Sequence, residues 1–442
     1  MSGPAVVRFC VAHVLVLLVV SGAAAQTDPA NASAQTQAPI RGGRAPVPSP
    51  GASPPPLAPD GFIKEPLFLS SSIDFLIDKF GDGTGEPKSG FYPEFSNMIT
   101  GAGWVSVGPG YRQYLNNDHL LLDTSAAVSW RFYKMMQARV EGLDLADGHL
   151  LLGAQGMWRD NTQVNFFGIG PDPVDADQSQ YRLQALDVVG YGSWFFNDWL
   201  RFDGTVGFLP QPKVMPPGGT FKEDFPFSRV LFPTDPAMSL SQQPDFLHST
   251  ASLTADTRDN HGHPTSGGRY RAALTTYSDR TNDVFSFSQY EAEATHFFPL
   301  ADRRWVLAFR GWTLFSDVGP GHEIPFYLMP SLGGQNTLRA YHNYEFHDQN
   351  LLVVNAESRW AIFTHVDAAL FFDAGSVAAA YRDLNLDNTS WGAGLRLHTE
   401  RTTIARLDVA KGPPGWNVVF RTSDPLRLTR GRLRVANIPF TP

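Results

Sequence analysis

Residues 331–348 read Ser-Leu-Gly-Gly-Gln-Asn-Thr-Leu-Arg-Ala-Tyr-His-Asn-Tyr-Glu-Phe-His-Asp. The stretch lies between two segments in which apolar and polar residues alternate. It is too long and too rich in Gly and Asn to be a tight turn, and loops of this length are usually functional or disordered. Its only Lys or Arg side chain is Arg339, which stands between Leu338 and Tyr341. We therefore predict a loop whose conformation depends on this arginine.

The segments on either side of the loop alternate with a period of two, as strands do. Residues 352–362 and 366–374 place Leu, Val, Ala, Trp and Phe on one face, and Asn355, Glu357 and Asp373 on the other. A soluble sandwich also alternates, with its polar face in water. Here the apolar face carries almost no charge and the opposite face carries both signs, which favours a membrane barrel with a wet lumen.

The predicted fold is all-β, a sixteen-stranded antiparallel transmembrane β-barrel with the 331–348 loop folded into its lumen. Short connections alternate with long ones at 161–179, 211–245 and 316–348, as in outer-membrane barrels. The sixteen predicted strands are 95–104, 106–115, 119–131, 133–144, 149–160, 180–196, 199–209, 246–257, 268–278, 284–298, 303–316, 349–363, 366–379, 390–399, 402–411 and 415–422.

The start of the chain has the pattern of an export signal. Arg8 precedes the apolar run 11–20, which is too short to span a membrane, and Ala23-Ala24-Ala25 is a small-residue cleavage site. The alternative is a short membrane anchor. The predicted organisation is a signal peptide over 1–25, a disordered Pro/Ala-rich linker over 26–60, a periplasmic segment over 61–94 with a helix at 66–80, an outer-membrane barrel over 95–422 and a tail over 423–442.

Composition argues against several functions. The net charge of −8 comes without a basic patch interleaved with aromatics, so we predict no nucleic-acid binding. Cys10 is the only cysteine and lies in the export signal, which leaves no thiol for a disulfide or a Cys-based site. No G-x-S-x-G, H-E-x-x-H or P-loop motif occurs. We predict no enzyme and no cofactor. His261 and His263 suggest no metal, because no third ligand is evident.

Arg339 is predicted to pin the loop by contacting Glu357 and Asp373. The alternating pattern places both carboxylates on the lumen-facing side of adjacent strands. The guanidinium fork of an arginine can bind carboxylates bidentately. The alternative is a solvated arginine in a mobile loop.

The first and last strands are predicted to meet at a weak seam. Glycines weaken a strand because they bring no side chain to pack, and proline donates no ladder hydrogen bond. The alternative is that the glycines only ease curvature. The predicted seam residues are Gly101, Gly103, Gly108, Gly110, Pro413 and Pro414.

Several motifs, in this order and spacing, resemble the barrel of the BamA/TamA family of the bacterial surface antigen superfamily. Leu338-Arg339-Ala340-Tyr341 is similar to its Val-Arg-Gly-Phe/Tyr loop signature, in a loop that also carries Gly333 and Gly334. Ala340 departs from that pattern, since a positive φ at this position would strain an alanine. The likeness covers about residues 95–422. The other segments that carry it are 166–170, 256–260, 264–267, 355–357 and 371–377.

This resemblance implies a monomeric barrel in outer-membrane lipid that aids insertion or translocation of client proteins or other envelope components. The residues before the barrel show no pattern of the family's periplasmic POTRA repeats, which puts client recruitment in doubt. Two alternatives remain open: a passive pore or structural barrel, and a membrane exporter for a separately encoded partner.

Overall fold

The computed structural model describes residues 60–71, 89–94, 106–219, 225–399 and 403–421. All of them belong to one unit, Ile40–Pro442. The predicted signal peptide, nearly all of the linker, the strand at 95–104 and the tail lie outside the described residues. Within the predicted helix 66–80, residues 67–71 are helical and the rest lie outside the described residues.

Nineteen strands are described, in close agreement with the predicted alternation. Their bounds are β1 Gly90–Glu94, β2 Ser106–Leu115, β3 Leu120–Ser129, β4 Lys134–Leu145, β5 Leu150–Phe166, β6 Ser179–Phe195, β7 Leu200–Leu209, β8 Lys213–Met215, β9 Phe246–Asp256, β10 Gly267–Asp279, β11 Phe287–Leu300, β12 Trp305–Val318, β13 Ser331–Leu332, β14 Phe346–His347, β15 Asn350–Phe363, β16 Val366–Ala378, β17 Asn388–His398, β18 Thr403–Gly412 and β19 Gly415–Arg421.

Seventeen of these strands form one sheet, and β13 pairs only with β14. Apart from β8, β13 and β14, strands that follow one another in the chain pair antiparallel, so that β7 pairs with β9 and β12 pairs with β15 across the two long connections. The predicted count of sixteen strands is not confirmed. Two strands of the sheet were not predicted: β1, which pairs with β2 and lies in the predicted periplasmic segment 61–94, and β8, a short segment that pairs with β6 inside the predicted loop 211–245. Among the described residues, no ladder is observed between β19 and β1.

The sheet carries apolar residues on its exposed face and charged residues on its buried face. Neighbours along one strand illustrate this: Leu122 is 38% exposed and Asp123 only 2%, while Phe372 is 47% exposed and Asp373 is fully buried. Charged residues are almost never this buried unless they are paired. An apolar outer band around a polar interior is typical of transmembrane barrels.

The α-helices of the described residues are short. Besides the turn at 67–71, they are Ser228–Leu231 and Pro236–Ser239. In this part of the chain, no helix has the length and apolar character needed to cross a membrane.

Aromatic side chains fill the space between the long connections and the sheet. Phe166 of β5 and Tyr181 of β6 pack on Phe326 of the β12–β15 connection, with ring centroids 5.3 and 4.9 Å apart. Phe246 and Tyr327 are buried in the same cluster. The long connections therefore have a packed core of their own.

Candidate functional site

The 331–348 stretch is folded by its glycines. Gly333 and Gly334 have φ values of 107° and 91°, which favour glycine. A Cβ on Gly333 would lie 2.3 Å from the carbonyl oxygen of His342. The amide of Gly334 donates to the carbonyl of Leu338 at 3.1 Å, and the amide of Thr337 donates to the carbonyl of Gly334 at 3.2 Å. These bonds close a tight turn that presents Arg339.

The residues around Arg339 are buried. Leu338, Ala340 and Tyr341 pack in one apolar cluster with Leu351, Val353 and Phe371 of the adjacent strands. Ala340 has a negative φ, so the strain considered for an alanine here does not arise. Its methyl group lies against Gly412 of β18, where an added Cβ would come within 2.8 Å of it.

Arg339 contacts both carboxylates predicted from strand parity. Its Nε and Nη2 donate to the two oxygens of Asp373 at 3.1 and 3.0 Å, and its Nη1 donates to Glu357 Oε2 at 3.1 Å. The guanidinium also lies over the Phe371 ring, 3.6 Å from the centroid, in a cation–π contact. The structure thus brings Arg339, Glu357 and Asp373 together in a bidentate arrangement.

The cluster extends beyond these three residues. Arg396 of β17 donates to Glu357 at 3.0 Å and also contacts Asp408 of β18. Asp408 lies 3.6 Å from Arg339 Nη1 and 3.4 Å from Arg406 Nη1. Three arginines therefore face three carboxylates, a balance that limits the cost of burying charge. We call Arg339, Glu357, Asp373, Arg396, Arg406 and Asp408 the arginine cluster.

The neighbouring carboxylates keep Arg339 positively charged. Burial alone lowers the pKa of Arg339, but Asp373, Glu357 and Asp408 more than offset it, so the pKa is raised above its ordinary value. The side chain is about 1% exposed. An uncompensated charge in such a site would be strongly unfavourable.

The loop backbone is bonded from several strands. Asn355 of β15 donates to the carbonyl of Thr337 at 2.8 Å, and Arg406 of β18 donates to that of Gln335 at 2.7 Å. Asn417 of β19 donates to the carbonyl of Arg339 itself at 2.8 Å. One short loop reaches strands this far apart only if the sheet curves around it.

The segment over residues 166–170 touches the same loop from elsewhere in the sheet. Gly170 donates its amide to the carbonyl of His347 at 2.8 Å, and the Phe167 ring stacks on His342 at 5.7 Å. The loop therefore lies between the β5–β6 connection and strands β15 to β19.

The predicted seam residues are only partly described. Gly101 and Gly103 lie outside the described residues. Gly108 and Gly110 lie in β2, where an added Cβ would come 1.8 Å from the Ala126 carbonyl oxygen and 2.2 Å from the Tyr92 ring. These two glycines permit close contact with both neighbouring strands. Pro413 and Pro414 form the turn between β18 and β19.

Sequence reasoning missed two features. Arg396, Arg406 and Asp408 lie in strands that were predicted, at positions whose side chains point to the buried face. Their place in the alternating pattern could therefore have predicted them. The expectation that His263 has no further ligand nearby is wrong: Asp367 and His398 both lie beside it. No local pattern links these three residues, because they come from distant parts of the chain.

Comparisons with known proteins agree with this architecture. Residues 217–413 match the Omp85 superfamily domain. Over this part of the chain, the predicted resemblance to the BamA/TamA family is confirmed.

Among solved structures, BamA from Haemophilus ducreyi lacking POTRA domains 1–3 is similar at a TM-score of 0.56 and 14% identity, over 76% of this chain and 70% of that one. CdiB from Escherichia coli gives a TM-score of 0.49 and 14% identity, over 76% of this chain and 63% of that one. At its low identity, the BamA match indicates a shared fold only. No curated protein sequence matches this chain.

Proposed function

We propose that the protein is an integral barrel of a Gram-negative outer membrane that aids insertion or translocation of proteins or other envelope components. The observation that carries the proposal is the buried arginine cluster, which holds a loop inside the curve of an Omp85-type sheet. The exposed apolar face supports a lipid environment. In this proposal the sheet closes on itself and the protein acts as a single barrel.

The filled interior disfavours the passive pore. A sixteen-stranded barrel leaves an aqueous interior unless something occupies it, and in the proposed barrel the loop and its aromatic contacts lie in that space. We further propose that the protein is not an enzyme, since the carboxylates and arginines of the cluster are engaged in ion pairs with one another. A bound client is then recognised through strands and loops rather than through chemistry at a reactive group.

Depletion followed by quantitative outer-membrane proteomics tests this function. We expect several barrel proteins or one class of envelope component to decline before growth slows. An otherwise unchanged outer-membrane proteome with lost uptake of one solute would favour the pore instead. Location is tested on gels, where unboiled protein from the outer-membrane fraction should migrate differently from boiled protein. Recovery in a soluble fraction without detergent would contradict it.

A further inference from the structure

A second buried cluster lies where the β9–β10 turn meets the opposite strands. His263 belongs to that turn, Asp367 is the second residue of β16, and His398 is the last residue of β17. All three are buried. His398 Nε2 is 3.2 Å from one oxygen of Asp367, and His263 Nε2 is 3.3 Å from the other. The two imidazole rings stack with centroids 3.7 Å apart.

The neighbours of each ring indicate which nitrogen carries the proton. His398 Nδ1 lies 3.0 Å from the carbonyl oxygen of Thr399, which only accepts, so this nitrogen must donate. The Thr403 hydroxyl donates to the carbonyl of Gly262 at 3.4 Å, which leaves it as an acceptor for His263 Nδ1 at 3.3 Å. In a neutral imidazole only one nitrogen holds a proton. Both Nε2 atoms are then bare and face a carboxylate.

Two lone pairs aimed at a carboxylate need a cation between them. A proton on each ring could supply the charge, but two adjacent imidazolium rings would repel each other. A metal ion can bind all three acceptors once the two rings, which stack at an interplanar angle of 8°, turn so that both lone pairs point at it.

We propose that His263, Asp367 and His398 form a binding site for a divalent transition-metal ion of the Zn²⁺ type. Imidazole nitrogen and carboxylate oxygen are the ligands that such ions take. Ligand atoms about 2.0–2.1 Å from a tetrahedral ion lie roughly 3.3 Å apart, close to the two nitrogen–oxygen separations observed. The ligand atoms of all three side chains lie within 4.8 Å of one another.

The surrounding contacts have the form that supports metal ligands. Metal-bound histidines commonly donate their second nitrogen to a carbonyl or another polar group, and Thr399 and Thr403 provide those acceptors. Arg359 opposes cation binding, because it places a positive charge close to the site. Its guanidinium donates to the carbonyl of Pro264 in the same turn. Its positive charge weakens binding of a cation but leaves the three ligands in place.

A bound ion would fasten the β9–β10 turn to strands that lie far from it in the sheet. The turn already accepts the Thr403 amide at the Gly262 carbonyl, 3.1 Å away. His398 also donates its backbone amide to His365, whose ring contacts Glu65 at 3.0 Å. The site therefore lies beside the point where the segment 60–71 is attached.

Metal binding is tested on tag-free, full-length protein in detergent after treatment with a chelator. Calorimetry with Zn²⁺ should give one ion per chain, and Co²⁺ should give visible absorption of a nitrogen- and oxygen-ligated ion. Zn²⁺ should also raise the unfolding temperature, since a ligand that binds only the folded state stabilises it. Absence of saturable binding to the wild-type protein would overturn the proposal.

Variants locate the ion. Thr403→Val, which removes an outer partner, should weaken Zn²⁺ binding by about 10–100-fold, and His263→Ala and His398→Ala, which each remove a ligand, should weaken it more. His261→Ala is the matched control, because this exposed histidine of the same turn lies beside Asp256 instead. Equal affinity in His263→Ala and His261→Ala would overturn the assignment. If an alanine variant lacks the heat-modifiable band, the corresponding glutamine variant replaces it.

Discussion

Strand β15 has 14 residues and pairs with β12 on one side and β16 on the other, whereas β1 has 5 residues and β19 has 7. Strands β15 to β18, with Arg339 of the loop, also hold the arginine cluster, in which every carboxylate has an arginine partner. The ends of the sheet carry glycine in β2 and a proline turn before β19. The loop is therefore bonded mainly to long strands that are paired on both sides, with one added hydrogen bond from Asn417 of β19, while the ends of the sheet have shorter ladders.

The largest expected effect comes from Arg339→Ala. Removing one partner of a buried ion pair typically costs about 3–5 kcal/mol, and here Asp373 and Glu357 lose a shared cation. We expect the 319–349 connection to become sensitive to added protease while the heat-modifiable band persists. Arg339→Lys should be intermediate, since a lysine keeps the charge but lacks the bidentate fork.

Arg382→Ala is the matched control for this experiment. Arg382 pairs with Asp383 on the surface, where its side chain is 80% exposed, and exposed pairs contribute little. Equal protease protection in Arg339→Ala and the wild-type protein would show that the cluster does not hold the loop.

A smaller effect is expected at the end of the sheet from Gly110→Ala. The added methyl would meet the Tyr92 ring at 2.2 Å, and overpacking of this kind typically costs about 1–3 kcal/mol. We expect faster hydrogen exchange in β1 and β2 and unchanged exchange in β15. Gly156→Ala in β5 is the control, because an added Cβ there has no atom within 4 Å. Uniform loss of protection across the sheet would contradict independent behaviour of its ends.

The smallest effect concerns pH and Glu345 in the loop. Burial, with a smaller contribution from Asp175, raises the pKa of Glu345 from 4.5 to about 7. The hydrogen bond from the His342 amide acts in the opposite direction and lowers this pKa. A raised pKa means that the folded loop favours the protonated acid. The stability it contributes is fully present below about pH 4.5 and is lost as the pH rises through about 7.

Protease protection of the loop should therefore decline modestly between pH 5 and pH 8. Glu345→Gln, which stays neutral, should remove this dependence and leave protection by Arg339 intact. A pH response of the same size in the variant would assign the effect to another group.

Alternation predicted the strands well because each has a polar buried face and an apolar exposed face, so most boundaries agree within a few residues. Parity and the loop signature likewise paired Arg339 with Glu357 and Asp373. β8 was missed because three residues carry too little periodicity to stand out. His263 with His398 was missed because nothing local links a turn to the end of a distant strand.

The docking of the β9–β10 turn has a consequence for the order of folding. His263 and Thr403 are 140 residues apart in the chain, and closing a loop of that length carries an entropic cost before any contact offsets it. Contacts of such high sequence separation form slowly. We therefore expect hairpins between neighbouring strands to assemble first and the turn to dock only after β16, β17 and β18 are in place. Docking of the turn is then a late step that requires the C-terminal strands to be paired already.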